Sequence, residues 1–221
     1  MANREPIEIG EWYHCYGRGV DKRKTFLDKR DYERFLLSMF LGNSNKSVRV
    51  SNFGKQSHKF IFENTDRGEN IVEIGAFCLM PNHFHILIKE IVDNGIARFM
   101  QKLMTGYTMY FNKKNERAGA LFSGTFKSKH INDDIYFKQV VSYIHLNPLK
   151  LLRDGWQEST KNTGEIENYL RQYKYSSLPT LYKIQRSENE ILSNNLFENM
   201  YDKTPTIDEM LKEVIDHQER N

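Results

Sequence analysis

His83 and His85 bracket Phe84 in the run His83-Phe84-His85-Ile86-Leu87-Ile88-Lys89, whose β-branched and apolar content reads as a strand. Alternate side chains of a strand share a face, so the two imidazoles project together, about 6.5–7 Å apart at the backbone. Leu87 continues their face, and Phe84, Ile86 and Ile88 form the opposite, core-facing one. Two neutral imidazoles converging on one point make half of a site for a divalent cation. A bare His-x-His spacing equally suits two surface histidines. The second group is Tyr143 and Asn147, four residues apart and hence on one helix face, with Gln139 a turn earlier. A tyrosine above an amide can offer the histidine pair a nucleophile and a further ligand. It can also be a core aromatic beside a helix-end residue that precedes Pro148. Combined, the groups suit attack on a phosphodiester. The cation would polarise the phosphate, and the phenol, with an ordinary pKa near 10, needs that help at neutral pH. Attack by Tyr143 would leave a phosphotyrosine and a free hydroxyl, conserving the bond energy for later rejoining. Tyr136, seven residues earlier on roughly the same face, is the alternative nucleophile.

Such side chains must be held by a sheet and at least one helix. Residues 11–19 read as an aromatic-rich strand ending in the turn Gly17-Arg18-Gly19, and 31–41 as a helix behind an acidic first turn. Residues 42–70 are rich in Gly, Ser and Asn, have no sustained period, and read as a long polar excursion. Strands are expected at 71–80 and 83–89, antiparallel about Pro81-Asn82, followed by helices at 96–115 and 133–147. Residues 118–129 read as a glycine-punctuated loop, and 206–219 as a terminal helix. This order predicts an α+β layer of helices on an antiparallel sheet.

The chain has 221 residues, enough for one domain with an appendage, and its 14 Phe and 12 Tyr argue for a real core rather than disorder. Lys plus Arg number 32 and Asp plus Glu 29, a net charge of +3 that is too mild to identify a polyanion binder. The distribution is more telling. Residues 96–153 carry ten basic and three acidic side chains, a net +7, whereas residues 185–221 carry −5. A basic body with an acidic tail suits a polyanion partner for the body, and ordinary solvated faces would give the same pattern. We expect domain boundaries at 1–184, with an insertion at about 42–70, and 185–221, an acidic helical tail able to compete with the polyanion. No apolar run reaches the roughly 18 residues of a membrane span, the charged start is unlike a signal peptide, and two cysteines build no disulfide framework. A cytoplasmic protein with no membrane partner is expected, nucleoid-associated if bacterial.

Met80 to Lys89 (MPNHFHILIK) resembles the His-hydrophobe-His signature of the single-tyrosine HUH transposases. Ser142 to Lys150 (SYIHLNPLK) resembles their tyrosine helix, especially in the branch of REP-associated tyrosine transposases. Trp12–Leu36, Leu121–Ile131 and Tyr173–Leu178 are similar to further blocks of that family, in the same order. The resemblance implies a ferredoxin-like (RRM-like) palm with an antiparallel sheet, helices packed on one face, and here a C-terminal helical tail. It implies His83 and His85 as ligands of Mg²⁺ or Mn²⁺, Asn147 as the third ligand, and Tyr143 as nucleophile. The implied reaction cleaves single-stranded DNA, at hairpin or repeat ends, through a 5′-phosphotyrosine that leaves a 3′ hydroxyl. Gly17 stands where relatives carry Asn, and Thr125 where they carry Arg, two departures that bear on DNA contact.

Candidate phosphate contacts are Arg18, Lys102, Lys113, Lys114, Lys127 and Lys129, with single-stranded or hairpin DNA as partner. A homodimer and a monomer both stay open, as does completion of the site within one chain or by a partner's tyrosine helix. The alternative functions are a nicking-only or domesticated relative, and a structured-DNA-binding module without turnover.

Overall fold

The computed structural model describes residues 6–152, 163–193, 201 and 203–219. The chain runs β1 (Trp12–Arg18), α1 (Lys29–Gly42), α2 (His58–Asn64), β2 (Val72–Met80), β3 (His83–Glu90), α3 (Gly95–Lys114), β4 (Lys127–Ile131) and α4 (Asp134–Leu146). The helices α5 (Thr163–Gln172), α6 (Leu178–Leu181) and α7 (Ile207–Glu219) follow. The four strands form one antiparallel sheet in the order β2-β3-β1-β4. With α1 after β1 and α3 after β3, that order is the ferredoxin-like palm expected from the sequence.

Helix α1 starts where Asp28 accepts from the backbone N–H of Asp31 and Asp31 returns the bond to Asp28, a reciprocal cap. Lys114, at the end of α3, donates to Asp28 at 2.9 Å and Asp31 at 2.6 Å, fastening the two helices together. The start of α3 is capped from outside itself. The buried Glu90 carboxylate accepts from Gly95 N at 3.0 Å and Ile96 N at 2.6 Å, a negative charge at the positive end of the helix. Asn43 closes the base of the 42–70 excursion: its Oδ1 accepts from Ile71 N at 2.9 Å and Val72 N at 3.1 Å, and its Nδ2 donates to Val72 O at 3.0 Å.

The alternation read in β3 is realised. Phe84, Ile86 and Ile88 join Tyr13, Cys15, Ile74 and Phe77 in the main core under α1 and α3. Gly17 belongs to this face too, since a Cβ there would stand 2.8 Å from the Phe84 ring; the position lies against the core. Leu87 lies on the opposite face, with Ala76, Cys78 and Ile131 under Phe137, Val140, Val141 and Ile144 of α4. Here the fold departs from the expected packing of helices on one face: α1 and α3 take one side, and α4 covers part of the other. The cause is that both faces of β2 are apolar: Ile74, Phe77 and Leu79 join the main core, and Ala76, Cys78 and Met80, with Leu87 of β3, need a cover of their own.

Four elements, α2, β4, α5 and α6, are additional to those read from the sequence. Residues 127–131, expected as the end of a loop, are β4, paired along β1 from Trp12↔Ile131 to Tyr16↔Lys127. The excursion holds α2, capped by Ser57 Oγ, which buries Ile61 and Phe62 against Phe40. The outer edge of β2 is closed by the chain beyond α5. Leu79 N donates to Tyr175 O, Ser177 N to Phe77 O, and Ser193 N to Ile74 O, all at 2.9 Å. The expected terminal helix is α7, whose Ile207, Met210, Leu211 and Val214 pack with Leu146 and Leu149 beyond the tyrosine.

Candidate active site

The register of the sheet builds the site. His14 faces Leu87, Tyr16 faces His85 and Arg18 faces His83 across the β1–β3 ladder, so β1 and β3 present one polar, aromatic surface. Helix α4 lies along that surface and brings Tyr143 over it. The His83 and His85 ring centroids are 5.0 Å apart, and the Tyr143 ring is 5.3 Å from His85 and 6.0 Å from His14. Residues from three distant stretches of sequence thus meet within one chain.

Each imidazole is held in a particular state. His83 Nδ1 donates to the amide oxygen of Asn82 at 2.6 Å, which leaves Nε2 with its lone pair. Asn82 is oriented in turn by its own donation to Lys22 O at 3.1 Å. His85 Nδ1 and His14 Nε2 share a hydrogen bond of 2.8 Å. Burial holds His14 and His83 neutral, pulling each down to about 4, with the Lys129 charge assisting at His14 and those of Lys150 and Arg18 at His83. His85 is held well below the ordinary histidine value, by burial first and by its histidine and lysine neighbours second. Neutral imidazoles with available lone pairs are what a cation requires.

Asn147 is 1 % exposed, just past the end of α4, at the start of a 3-10 turn (Asn147–Leu151) that carries Pro148. Its Nδ2 donates to Tyr143 O at 2.9 Å, and its Oδ1 accepts from Lys150 Nζ at 3.1 Å. The same ammonium stands 3.4 Å from the Tyr143 hydroxyl and 4.7 Å from the centre of its ring. An amide oxygen that already faces a cation, beside two neutral imidazoles, is a donor set that fits Mg²⁺ or Mn²⁺. Among the described residues no group of three or more His, Cys, Asp or Glu side chains is placed to hold a metal ion, and the amide oxygen of Asn147 is a donor beside the histidine pair.

The six expected phosphate contacts divide between two surfaces. Arg18, Lys127 and Lys129 lie on the histidine face, Lys127 opposite Tyr16 and Lys129 opposite His14 in the strand register. Lys102, Lys113 and Lys114 lie on α3, on the far side of the sheet. Lys114, only 20 % exposed, is committed to Asp28 and Asp31. Tyr136 sits two turns before Tyr143, its ring under Lys129 Nζ at 4.7 Å. His145, off the Tyr143–Asn147 face, is fully buried and bonded to Ser177 Oγ at 2.7 Å, a structural role. Sequence reading missed His14 and Lys150 as members of the site. The signal for His14 was the alternation Trp12, His14, Tyr16, Arg18 on one face of β1.

The family described as IS200-like transposases matches residues 38–147, a span that contains both histidines and Tyr143. A solved structure described as the REP-associated tyrosine transposase bound to a REP hairpin superposes with a TM-score of 0.53 at 13 % identity. The match covers 85 % of this chain and 90 % of that one, a likeness of fold. No curated protein matches the sequence. Among the described residues no helix is long and apolar enough to cross a membrane.

Proposed function

The chain belongs to the IS200-like transposases, and from that premise we propose that it cleaves and rejoins single-stranded DNA through Tyr143, with His83, His85 and Asn147 holding a divalent cation. The observation that carries this reading is the meeting of Tyr143 with His85 at 5.3 Å, beside His83, on a face lined with cations. Bound there, Mg²⁺ or Mn²⁺ supplies Lewis-acid polarisation of the scissile phosphate.

The protein's own groups account for the rest. Arg18, Lys127 and Lys129 take up flanking phosphates, and the exposed parts of Tyr16 and Trp12 offer ring faces to unpaired bases. Lys150 stands beside the phenol, where its ammonium offsets the charge of a phosphate brought up for attack. The Tyr143 oxygen attacks phosphorus and gives up its proton. The bond from phosphorus to the 3′ oxygen breaks, and that oxygen takes a proton to become the free 3′ hydroxyl. The 5′ phosphate stays on the tyrosine until another 3′ hydroxyl reverses the step.

The test is a denaturing gel of protein incubated with labelled hairpin oligonucleotides carrying single-stranded flanks, with Mn²⁺ or with chelator. The expected result is a labelled band at protein mass, absent in Tyr143→Phe and after chelation. An adduct that survives in Tyr143→Phe moves the nucleophile to Tyr136. Tight hairpin binding with no adduct under any condition replaces the enzyme with a DNA-binding module.

A further inference from the structure

Tyr143, Asn147 and Lys150 form one column where α4 gives way to the turn that follows it. Tyr143 and Asn147 are four residues apart, which on a helix puts them on one face. From Asn147 the chain tightens to a 3-10 turn, in which residues three apart eclipse, so Lys150 stands over Asn147. The Asn147 amide has little choice of orientation. Its Nδ2 donates to Tyr143 O at 2.9 Å, so Oδ1 is the end that faces Lys150 Nζ, at 3.1 Å. The same side chain also bonds His83, which ties it to the histidine pair.

Lys150 is thus a cation placed where the donor set calls for one. Its polar partners among the described residues are the Asn147 oxygen and, at 3.4 Å, the Tyr143 hydroxyl, with no carboxylate among them. The ammonium lies 4.7 Å from the Tyr143 ring centre, and its charge reaches both His83 and His85. Asn147 is 1 % exposed, and two cations sharing so enclosed an oxygen repel each other far more than in water. One of them must leave. Asn147 is fixed by its bond to Tyr143 O, whereas Lys150 is exposed and carries its rotatable donors on a flexible stem.

We propose that Lys150 is a built-in cation exchanged at Asn147: its ammonium holds the amide oxygen until Mg²⁺ or Mn²⁺ takes that oxygen, and then turns to the phosphate over Tyr143. No covalent bond changes in this exchange, and the ammonium keeps its protons throughout. Lys150 thereby weakens metal binding and aids the reaction at the same time. The inference rests on reading the chain as a metal-dependent DNA-strand enzyme.

The test is the Mn²⁺ affinity of the full chain without DNA, read from the loss of the free-ion electron paramagnetic resonance signal. Lys150→Met keeps most of the stem and removes the charge, and it should bind Mn²⁺ at least about tenfold more tightly than wild type. In an Asn147→Ala background the same change should alter affinity by about threefold or less, a double-mutant cycle that isolates competition at the amide oxygen. Lys129→Met removes a charge that also reaches the histidine face, at His14, and should gain less than Lys150→Met. At saturating Mn²⁺, Lys150→Met should nonetheless form the DNA adduct at least about tenfold more slowly.

Equal or weaker Mn²⁺ binding in Lys150→Met overturns the proposal, as does a gain that persists in Asn147→Ala or is matched by Lys129→Met. Adduct formation by Lys150→Met at the wild-type rate overturns the turn to the phosphate. If Lys150→Met loses its thermal transition, Lys150→Gln carries the same test. The two readings fail separately. Wild type that binds Mn²⁺ and never forms an adduct, with the gain in Lys150→Met present, retires the phosphotyrosine chemistry and keeps the exchange at Asn147. A normal adduct with no gain in Lys150→Met retires the exchange alone, and Mn²⁺ binding by no variant retires the exchange together with the metal site.

Discussion

At the scale of single residues, His14 is the informative one. Among the described residues its polar route to the chemistry is the 2.8 Å bond to His85, and that bond leaves the other His85 nitrogen available when His85 is the donor. Removing a partner of this kind from a ligating histidine costs about 10–100-fold in metal affinity or activity. We therefore expect His14→Ala to weaken Mn²⁺ binding, read from its electron paramagnetic resonance spectrum, and His14→Gln, which can still accept, to recover part of the loss. Equal Mn²⁺ affinity in wild type and His14→Ala would remove His14 from the site. The residues legible in the sequence were those whose partners are close along the chain: His83 with His85 by strand alternation, and Tyr143 with Asn147 by helical spacing. His14 lies 71 residues from His85, and only strand pairing reveals the contact.

At the scale of elements, the fastening of α3 to α1 gives a second expectation. Asp31 is fully buried, and Lys114→Met would leave its carboxylate to Tyr110 and to backbone N–H groups. Because Lys114 is partly exposed and Asp31 keeps other partners, the loss should be modest for a buried ion pair, about 1–3 kcal/mol in urea unfolding. Unaltered stability together with weakened DNA binding would return Lys114 to the phosphate contacts. Elements with strong periodicity were readable, α1 and α3 above all. Helix α2 was not, because seven residues give less than two full periods and it buries only Ile61 and Phe62. Strand β4 was hidden for a different reason. Its alternation is Lys127, Lys129 and Ile131 against Ser128 and His130, so neither face is a hydrophobic stripe. The packing of α4 on the second sheet face was likewise invisible, since neither periodicity nor motif says on which side a helix lands.

At the scale of the whole molecule, buried histidines set the pH response. His14 and His83 titrate near 4 and His145 near 3 in the folded protein, in each case chiefly through burial, against about 6.5 in an unfolded chain. Between those values the unfolded chain binds more protons, so stability rises with pH through that window and is lost as pH falls below about 6.5. The unfolding temperature should be nearly level just above pH 7 and should drop steadily toward pH 4.5. A level profile across that whole range would contradict neutral burial of these rings. The acidic tail also belongs to this scale. With Met210 and Val214 packed among Leu146, Leu149 and Leu170, truncating residues 185–221 would strip a core along with the charge. Competition between tail and DNA is better probed by neutralising exposed acids such as Asp208.

The same packing bears on how the strands must move. Helix α4 is clasped between the sheet, through Val141 and Ile144, and the α5–α7 layer, through Leu146. A tyrosine mounted in that way is an anvil rather than an arm. It cannot swing its covalent cargo to a neighbouring molecule without tearing open two hydrophobic layers. In the proposed reaction the cut 5′ end therefore waits where it was made, and the choreography falls to the nucleic acid, whose next 3′ end must travel to a stationary bond.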